Sequence, residues 1–258
     1  MDSILQKTRS PRSESNPAIS TSPTRTIAAI IPAFNEAGRI GKVLHVLHDV
    51  KYLAEIIVVD DGSSDTTVQE SLLEAETDSR IRLISQTANL GKGQAILAGW
   101  QATRANILLM LDADLCGLTS QHILDLCQPV LNGRADMTIG LFRGGYWRTD
   151  LSHWATPWLS GQRCLRADLL KKISWDAAAG YGIETALTVA AQLHDWKTMK
   201  VAWQGAWHTP SENRCGYWRG MARRGKMYLQ ILRAWYVAGG LLRLGIRLGR
   251  KLRVSNLN

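Results

Sequence analysis

No two cysteines in this chain form a CxxC pair: Cys116, Cys127, Cys164 and Cys215 are scattered over 258 residues. That spacing suggests neither a zinc site nor a disulfide framework, and reduced thiols in a cytoplasmic protein are the expectation. Long apolar runs are missing too. Ala234 to Leu242 is apolar but spans nine residues between Arg233 and Arg243, where a membrane-spanning helix needs about 20. The segment 1–25 holds no apolar run long enough for a signal peptide. It is rich in Ser, Thr, Pro and Arg and reads as a disordered tail, so the chain is not expected to be secreted. There is no GxxxxGK[ST] sequence, and the only glycine pattern near a phosphate-binding type lacks its third glycine and does not follow the first strand. P-loop and dinucleotide-binding readings are therefore weak.

Acidic residues are absent after Glu212, where eleven Lys and Arg remain. Residues 1–25 carry a net +2, so with a total of +9 the stretch 26–212 holds a net −4. The chain divides into a disordered tail (1–25), a mildly acidic body (26–212) and a basic C-terminal segment (213–258). In that segment Val237, Leu241, Leu244, Leu248 and Leu252 share one side of a helical projection, with Arg243, Arg247, Arg250 and Arg253 on the other. This pattern suits an anionic membrane surface, a solvated helix, or packing on the body, and four glycines weaken the helix propensity of the segment. Nucleic-acid binding is not expected, because no recognition motif accompanies the charge.

Within the body, Ile27 to Ile31, Glu55 to Val59, Ile81 to Ile84 and Ile107 to Leu111 are short apolar runs suited to strands buried on both faces. Ala37 to Val50, Asp65 to Glu76 and Gly93 to Thr103 between them have apolar residues at helical spacing. The alternation predicts an α/β fold, a mostly parallel central sheet with helices on both faces. Ligands bind such sheets beyond the carboxyl ends of the strands. There stand Pro32-Ala33-Phe34-Asn35-Glu36, Asp60-Asp61-Gly62-Ser63-Ser64-Asp65 and Asp112-Ala113-Asp114. Ser64 and Asp65 are also good helix caps. Asp112 and Asp114 repel one another unless neutralised, and a hard cation, Mg²⁺ or Mn²⁺, commonly joins one or two such carboxylates to a substrate's phosphates. Gly91-Lys92-Gly93 opens a helix after the third strand, so its amides and Lys92 can approach an anion.

The segments PAFNEAGRI, IIVVDDGSSDTT, NLGKGQAILAGW and LLMLDADL, in this order, resemble glycosyltransferase family 2 over roughly residues 26–212. The resemblance implies a GT-A fold, with a Rossmann-like nucleotide-binding half and an acceptor-side half. It implies that Pro32, Asn35 and Glu36 lie near the nucleoside, that Asp61 recognises base or ribose, and that Lys92 lies near the phosphates or sugar. Asp112 and Asp114 would be the DxD pair holding the metal on the diphosphate, with Asp114 counted among the catalytic residues.

The segments LSGQRCLR and GYGIETAL look like the acceptor side of polyprenyl-phosphate sugar transferases and of glucosyl-3-phosphoglycerate synthases. By that resemblance Arg163, Tyr181 and Glu184 contact the acceptor, and His208, after a strand expected over Thr198 to Trp203, joins the metal shell. Local readings stand beside these: Glu184 opens a helix whose dipole favours a carboxylate, and His208 is equally suited to a structural role. His45 and His48 fall on an outer helix and receive no function.

A phosphate acceptor is already a nucleophile and needs an Arg to place it, whereas a hydroxyl acceptor would need Glu184 as base. The expected activity is metal-dependent transfer of a sugar from a nucleoside-diphosphate donor to a phosphorylated lipid at the cytoplasmic face of a membrane. A soluble phosphorylated acceptor such as 3-phosphoglycerate, or a nucleotide-sugar-binding module without catalysis, are the alternatives.

Overall fold

The computed structural model describes residues 25–143, 160–178 and 182–208. Tyr181, most of the expected N-terminal tail and the basic C-terminal segment lie outside these residues. The body opens with β1 (Ile27–Ala33), α1 (Ile40–His48), β2 (Leu53–Asp60), α2 (Thr67–Thr77), β3 (Ile81–Ser85), α3 (Lys92–Gln101) and β4 (Ile107–Met110). It continues with β5 (Leu115–Cys116), α4 (Ser120–Leu131), β6 (Met137–Arg143), β7 (Arg163–Arg166), a 3₁₀ turn (Ala167–Lys172) and α5 (Trp175–Ala178). The last elements are α6 (Ile183–Leu193), β8 (Thr198–Gln204) and β9 (Trp207–His208).

Seven strands form one sheet in the order β3-β2-β1-β4-β7-β6-β8, and β5 pairs with β9 in a small second sheet. The pairs β3-β2, β2-β1, β1-β4 and β6-β8 are parallel, and β7 runs antiparallel to both neighbours. The sheet is thus mostly parallel, as the alternation of elements predicted. Its far half, β6 and β7, was not read from the sequence.

β1 is buried along nearly its whole length because both faces are covered. Its residues Ile27, Ala29 and Ile31 pack into a core with Ile40, Val43, Leu44 and Leu47 of α1 and Ile123 and Leu126 of α4. Ala28 and Ile30 point the other way, into a core with Ala95 and Ile96 of α3 and Ile183, Ala186 and Leu187 of α6. The spacing 40, 43, 44, 47 is the apolar stripe of a helix lying on a sheet. On the opposite face α3 lies very close to β1, because a Cβ at Gly99 would come within 2.6 Å of Ile30 Cγ2. This close seating fixes where Lys92, at the start of α3, meets the sheet edge.

Helix α1 begins at Ile40 rather than near Ala37, for a reason that involves α2. The backbone N–H groups of Asn35, Glu36, Ala37 and Gly38 donate in turn to Ser63 Oγ (2.9 Å), Thr67 Oγ1 (2.7 Å), Asp65 Oδ2 (3.1 Å) and the Glu70 carboxylate (2.8 Å). In return Asn35 Oδ1 accepts from Ser64 N at 2.9 Å. Asn35 itself has φ of 55°, a left-handed conformation that Asn tolerates better than most residues. The side chains that look like caps for α2 therefore also satisfy the orphan donors preceding α1. Each such bond contributes on the order of 1 kcal/mol.

Candidate active site at the carboxyl edge of the sheet

The carboxyl ends of β1, β2 and β4 meet the start of antiparallel β7, whose Arg163 pairs with Met110. Continuing that register sets Gly161 opposite Asp112, just past β4. Gln162 grips Asp112 twice, accepting from its N–H through Oε1 (3.1 Å) and donating from Nε2 to Oδ2 (2.7 Å). Lys92 Nζ reaches Asp112 Oδ1 at 2.5 Å from the other side and Glu184 Oε1 at 2.5 Å. One ammonium thus bridges the DxD segment and the first turn of α6, two elements far apart in the chain. Burial pulls the Lys92 pKa down, but Asp112 and Glu184 outweigh it and hold the ammonium above the ordinary lysine value.

Absence of a side chain at Gly161 permits this packing. A Cβ there would stand 2.5 Å from Asp112 Oδ2 and 2.6 Å from Lys92 Nζ. Beneath lies Arg163, wholly buried. Its Nε donates to Ser160 O and its Nη2 to Thr188 Oγ1, both at 3.0 Å, and Thr188 Oγ1 donates to Glu184 O at 2.8 Å. Burial drags the Arg163 pKa down to about 10, with the charge of Glu184 opposing the shift. Arg163, Lys92, Asp112, Gly161, Glu184 and Pro32 line one small cavity. Arg166 belongs to the far edge, paired with Asp168 at 2.7 Å and Asp136 at 3.3 Å.

Other residues named from the sequence sit as follows. Asp61 is buried, and its two oxygens accept from Leu90 N (2.8 Å) and Gly91 N (2.9 Å). It straps the loop that leads into Lys92. Burial raises its pKa, the two N–H bonds lower it, and neighbouring Asp60 adds to the rise. Glu36 pairs with Arg39 at 2.5 Å. Asp114 is half-buried one residue before β5. Leu115 pairs with His208 in β9, so the backbone of His208 runs beside the DxD segment. Of the sequence-predicted groups, Lys92 touches both Asp112 and Glu184, and Arg163 adjoins them in the same cavity. Asn35, Glu36 and Asp61 organise the neighbouring loops. Gln162, to which no role was given, is the residue sequence reasoning missed. Its signal was a polar side chain directly before the buried start of a strand.

The profile of Glycosyl transferase family 2 matches residues 28–183, which include β1 from Ala28 on, β2, β4 and β7 at this edge and end one residue before Glu184. The chain belongs to this family. Among its relatives, a dolichyl-phosphate beta-glucosyltransferase of Mus musculus is 35% identical over 112 residues, 39% of this chain and 35% of the relative. Another enzyme of that name, from Trichomonas vaginalis, is 40% identical over 99 residues, 34% of this chain and 30% of the relative. The match spans about a third of the length of these curated relatives. A crystal structure of glucosyl-3-phosphoglycerate synthase from Mycobacterium tuberculosis, in complex with Mn²⁺, uridine-diphosphate-glucose and phosphoglyceric acid, superposes with a TM-score of 0.69. It is 24% identical and the superposition covers 84% of this chain and 80% of that one. That similarity bears on the fold of this family 2 chain, which is GT-A. Among the described residues no helix is long and apolar enough to cross a membrane.

Proposed function

We propose that this family 2 chain transfers a glycosyl group from a nucleoside-diphosphate sugar to a phosphorylated acceptor with the aid of a divalent cation. The observation that carries the proposal is the Lys92 ammonium held between Asp112 and Glu184 at 2.5 Å from each. It sets a positive charge where a leaving diphosphate needs one, between the donor-side DxD segment and the acceptor-side helix α6. The names of the curated relatives support a polyprenyl phosphate as acceptor. The phosphoglyceric acid in the superposed structure supports the second reading, a soluble phosphate ester. In the first reading the basic segment 213–258 holds the enzyme on an anionic membrane surface.

The carboxylates of Asp112 and Asp114 suit a hard cation. His208, the further ligand that the family resemblance implies, has its backbone beside them, and its side chain lies outside the described part. Asp114 and Asp112 would be the cation's carboxylate ligands, with Lys92 and Gln162 donating to the two oxygens of Asp112. When bound, Mg²⁺ or Mn²⁺ neutralises charge on the diphosphate. The chain's own residues do the rest. Lys92 moves from its carboxylates toward the departing phosphate oxygens, and Glu184, released from it, orients the acceptor or takes a proton from a hydroxyl acceptor. Arg163 supplies positive charge at the cavity floor, where it draws in the acceptor phosphate and keeps Ser160 and α6 in place. Pro32, Asn35 and Glu36 form the nucleoside side of the cleft with Asp61, which acts on the donor through the Leu90-Gly91 loop. Tyr181 stands close to Glu184 in sequence, on the acceptor side.

The test is a thermal-shift series of nucleotide sugars with and without Mn²⁺, on wild type and Asp114→Ala. A donor at a hundred times its Kd stabilises by about 2.7 kcal/mol, or about 5–10 °C for a domain of this size. The shift should need metal and vanish in the variant. Turnover with a polyprenyl phosphate or with 3-phosphoglycerate then separates the two acceptors. If no nucleotide sugar raises the melting temperature with metal present, the proposal fails.

A further inference from the structure

His45, His48 and Glu74 take no part in the site described above, yet they converge on the flank where α1 meets α2. One ligand atom from each lies within 4.8 Å of the other two, the only such group of three among the described residues. We infer that this cluster is a second metal site, selective for a borderline transition-metal cation of the Zn²⁺ type over Mg²⁺ or Mn²⁺.

Helix geometry explains the convergence. The core-facing stripe of α1 is Ile40, Val43, Leu44 and Leu47, which leaves Gly41, His45 and His48 together on an adjacent flank at spacings of four and three. Glu74 of α2 lies along this flank. Its Oε1 would be 3.6 Å from a Cβ at Gly41, and its Oε2 is 3.2 Å from His48 Nε2. The carboxylate therefore lies beside Gly41 and within reach of the His48 ring, with His45 between the two in the chain. The two imidazole centroids are 5.9 Å apart, close enough for both rings to turn toward one point.

The contact between His48 and Glu74 has a feature that an ordinary ion pair would lack. His48 Nε2 is shut off from solvent and makes no hydrogen bond, although the carboxylate oxygen is only 3.2 Å away. The atoms are close, but the ring nitrogen is not aimed along the line between them. Ligands that share a metal have this relation, because both lone pairs converge on the cation and not on each other. With Zn–N and Zn–O bonds of about 2.0–2.1 Å, neighbouring corners of a tetrahedron are about 3.3–3.4 Å apart. The observed separation of 3.2 Å is close to that edge.

Donor chemistry sets the selectivity. Two imidazoles and one carboxylate suit Zn²⁺, Ni²⁺ or Cu²⁺, whereas Mg²⁺ and Mn²⁺ prefer oxygen. Three protein ligands leave a fourth position for water, and exposed His45 gives an entry path. Asp78, near His48, is itself paired with Arg80 at 2.6 Å. Arg80 also donates to Leu47 O and His48 O, at 3.2 and 3.1 Å, and so anchors the turn of α1 that carries His48. A bound cation would tie α1 to α2 at the end away from their shared N-terminal loops.

The test is a Zn²⁺ titration of metal-stripped full-length protein against a chromophoric chelator. It is run on wild type, His45→Ala, Glu74→Gln and Asp114→Ala, with Mn²⁺-dependent donor binding measured on each. Wild type should hold Zn²⁺ with a Kd of about 10 µM or tighter. His45→Ala and Glu74→Gln should each weaken that site at least about tenfold, and should keep the wild-type melting temperature without metal and Mn²⁺-dependent donor binding. Asp114→Ala should do the reverse, keeping the Zn²⁺ site. Zn²⁺ binding that survives both His45→Ala and Glu74→Gln overturns the inference, as does Zn²⁺ binding lost only with Asp114, or wild-type binding weaker than about 100 µM.

Discussion

Gly161→Ala puts a methyl group at the most crowded point of the site. The new Cβ would lie 2.5 and 2.8 Å from the two oxygens of Asp112 and 2.6 Å from Lys92 Nζ. Ordinary carbon–heavy-atom contacts begin near about 3.5 Å, so something must retreat by several tenths of an ångström. Asp112 cannot yield easily, since Gln162 holds both its N–H and its carboxylate. Nor can the segment from Ser160 to Arg163, which is anchored by Ser160 Oγ to Gly140 O at 2.5 Å and by Gly140 N to Gln162 O at 2.8 Å. The movable partner is Lys92, and its displacement loosens the bridge to Glu184. Overpacking of this kind costs about 1–3 kcal/mol, or a fall of roughly 2–10 °C in melting temperature. A misplacement of about 1 Å lowers turnover about a hundredfold. The assays are thermal melting and initial rates with a saturating donor, beside Gly99→Ala as a control. That control also forces a contact, 2.6 Å from Ile30 Cγ2, but at the other end of α3. It should lose stability with a much smaller loss of kcat. A Gly161→Ala protein with wild-type melting and turnover would refute the packing argument.

Lys92→Met leaves Asp112 and Glu184 facing one another without their shared cation, so sugar transfer should fall by about a hundredfold or more. An undiminished rate with saturating donor and acceptor would count against the bridge. At the other edge, hydrogen bonds from Arg80 hold the Asp78 pKa down at about 2. A depressed acid contributes stability that is complete above its unfolded pKa, about 3.9, and is lost as pH falls toward the folded value. Urea melts should therefore show the Arg80→Ala difference narrowing between pH 4 and 2, and a difference constant with pH would show that Asp78 has no share in it.

Strand positions and the DxD segment were legible because buried parallel strands are short, apolar and followed by their ligand-binding loops. What the sequence hid is mostly pairing at a distance. Ser64 and Asp65 look like local caps, and Asp65 does accept from Thr67 N at 3.0 Å, yet its other oxygen serves Ala37. Asp61 was expected at the base or ribose, and its oxygens are found on the loop at Leu90 and Gly91. A carboxylate following a strand looks the same in either role. Arg163 was singled out by resemblance, and what separates it from Arg166 is strand direction, which spacing does not reveal. β7 runs antiparallel, so its first residue lies at the ligand edge and its last at the opposite one.

The interlock of the first two loops has a consequence for exchanging parts between relatives. Since Asn35, Glu36, Ala37 and Gly38 each donate to a side chain from Ser63, Thr67, Asp65 or Glu70, neither loop carries the instructions for its own shape. A graft of residues 32–39 alone would arrive without its template, and a graft of 61–70 alone would leave acceptors with nothing to hold. The transplantable cassette is the two segments moved as a pair, though all of α1 and β2 lies between Gly38 and Ser63.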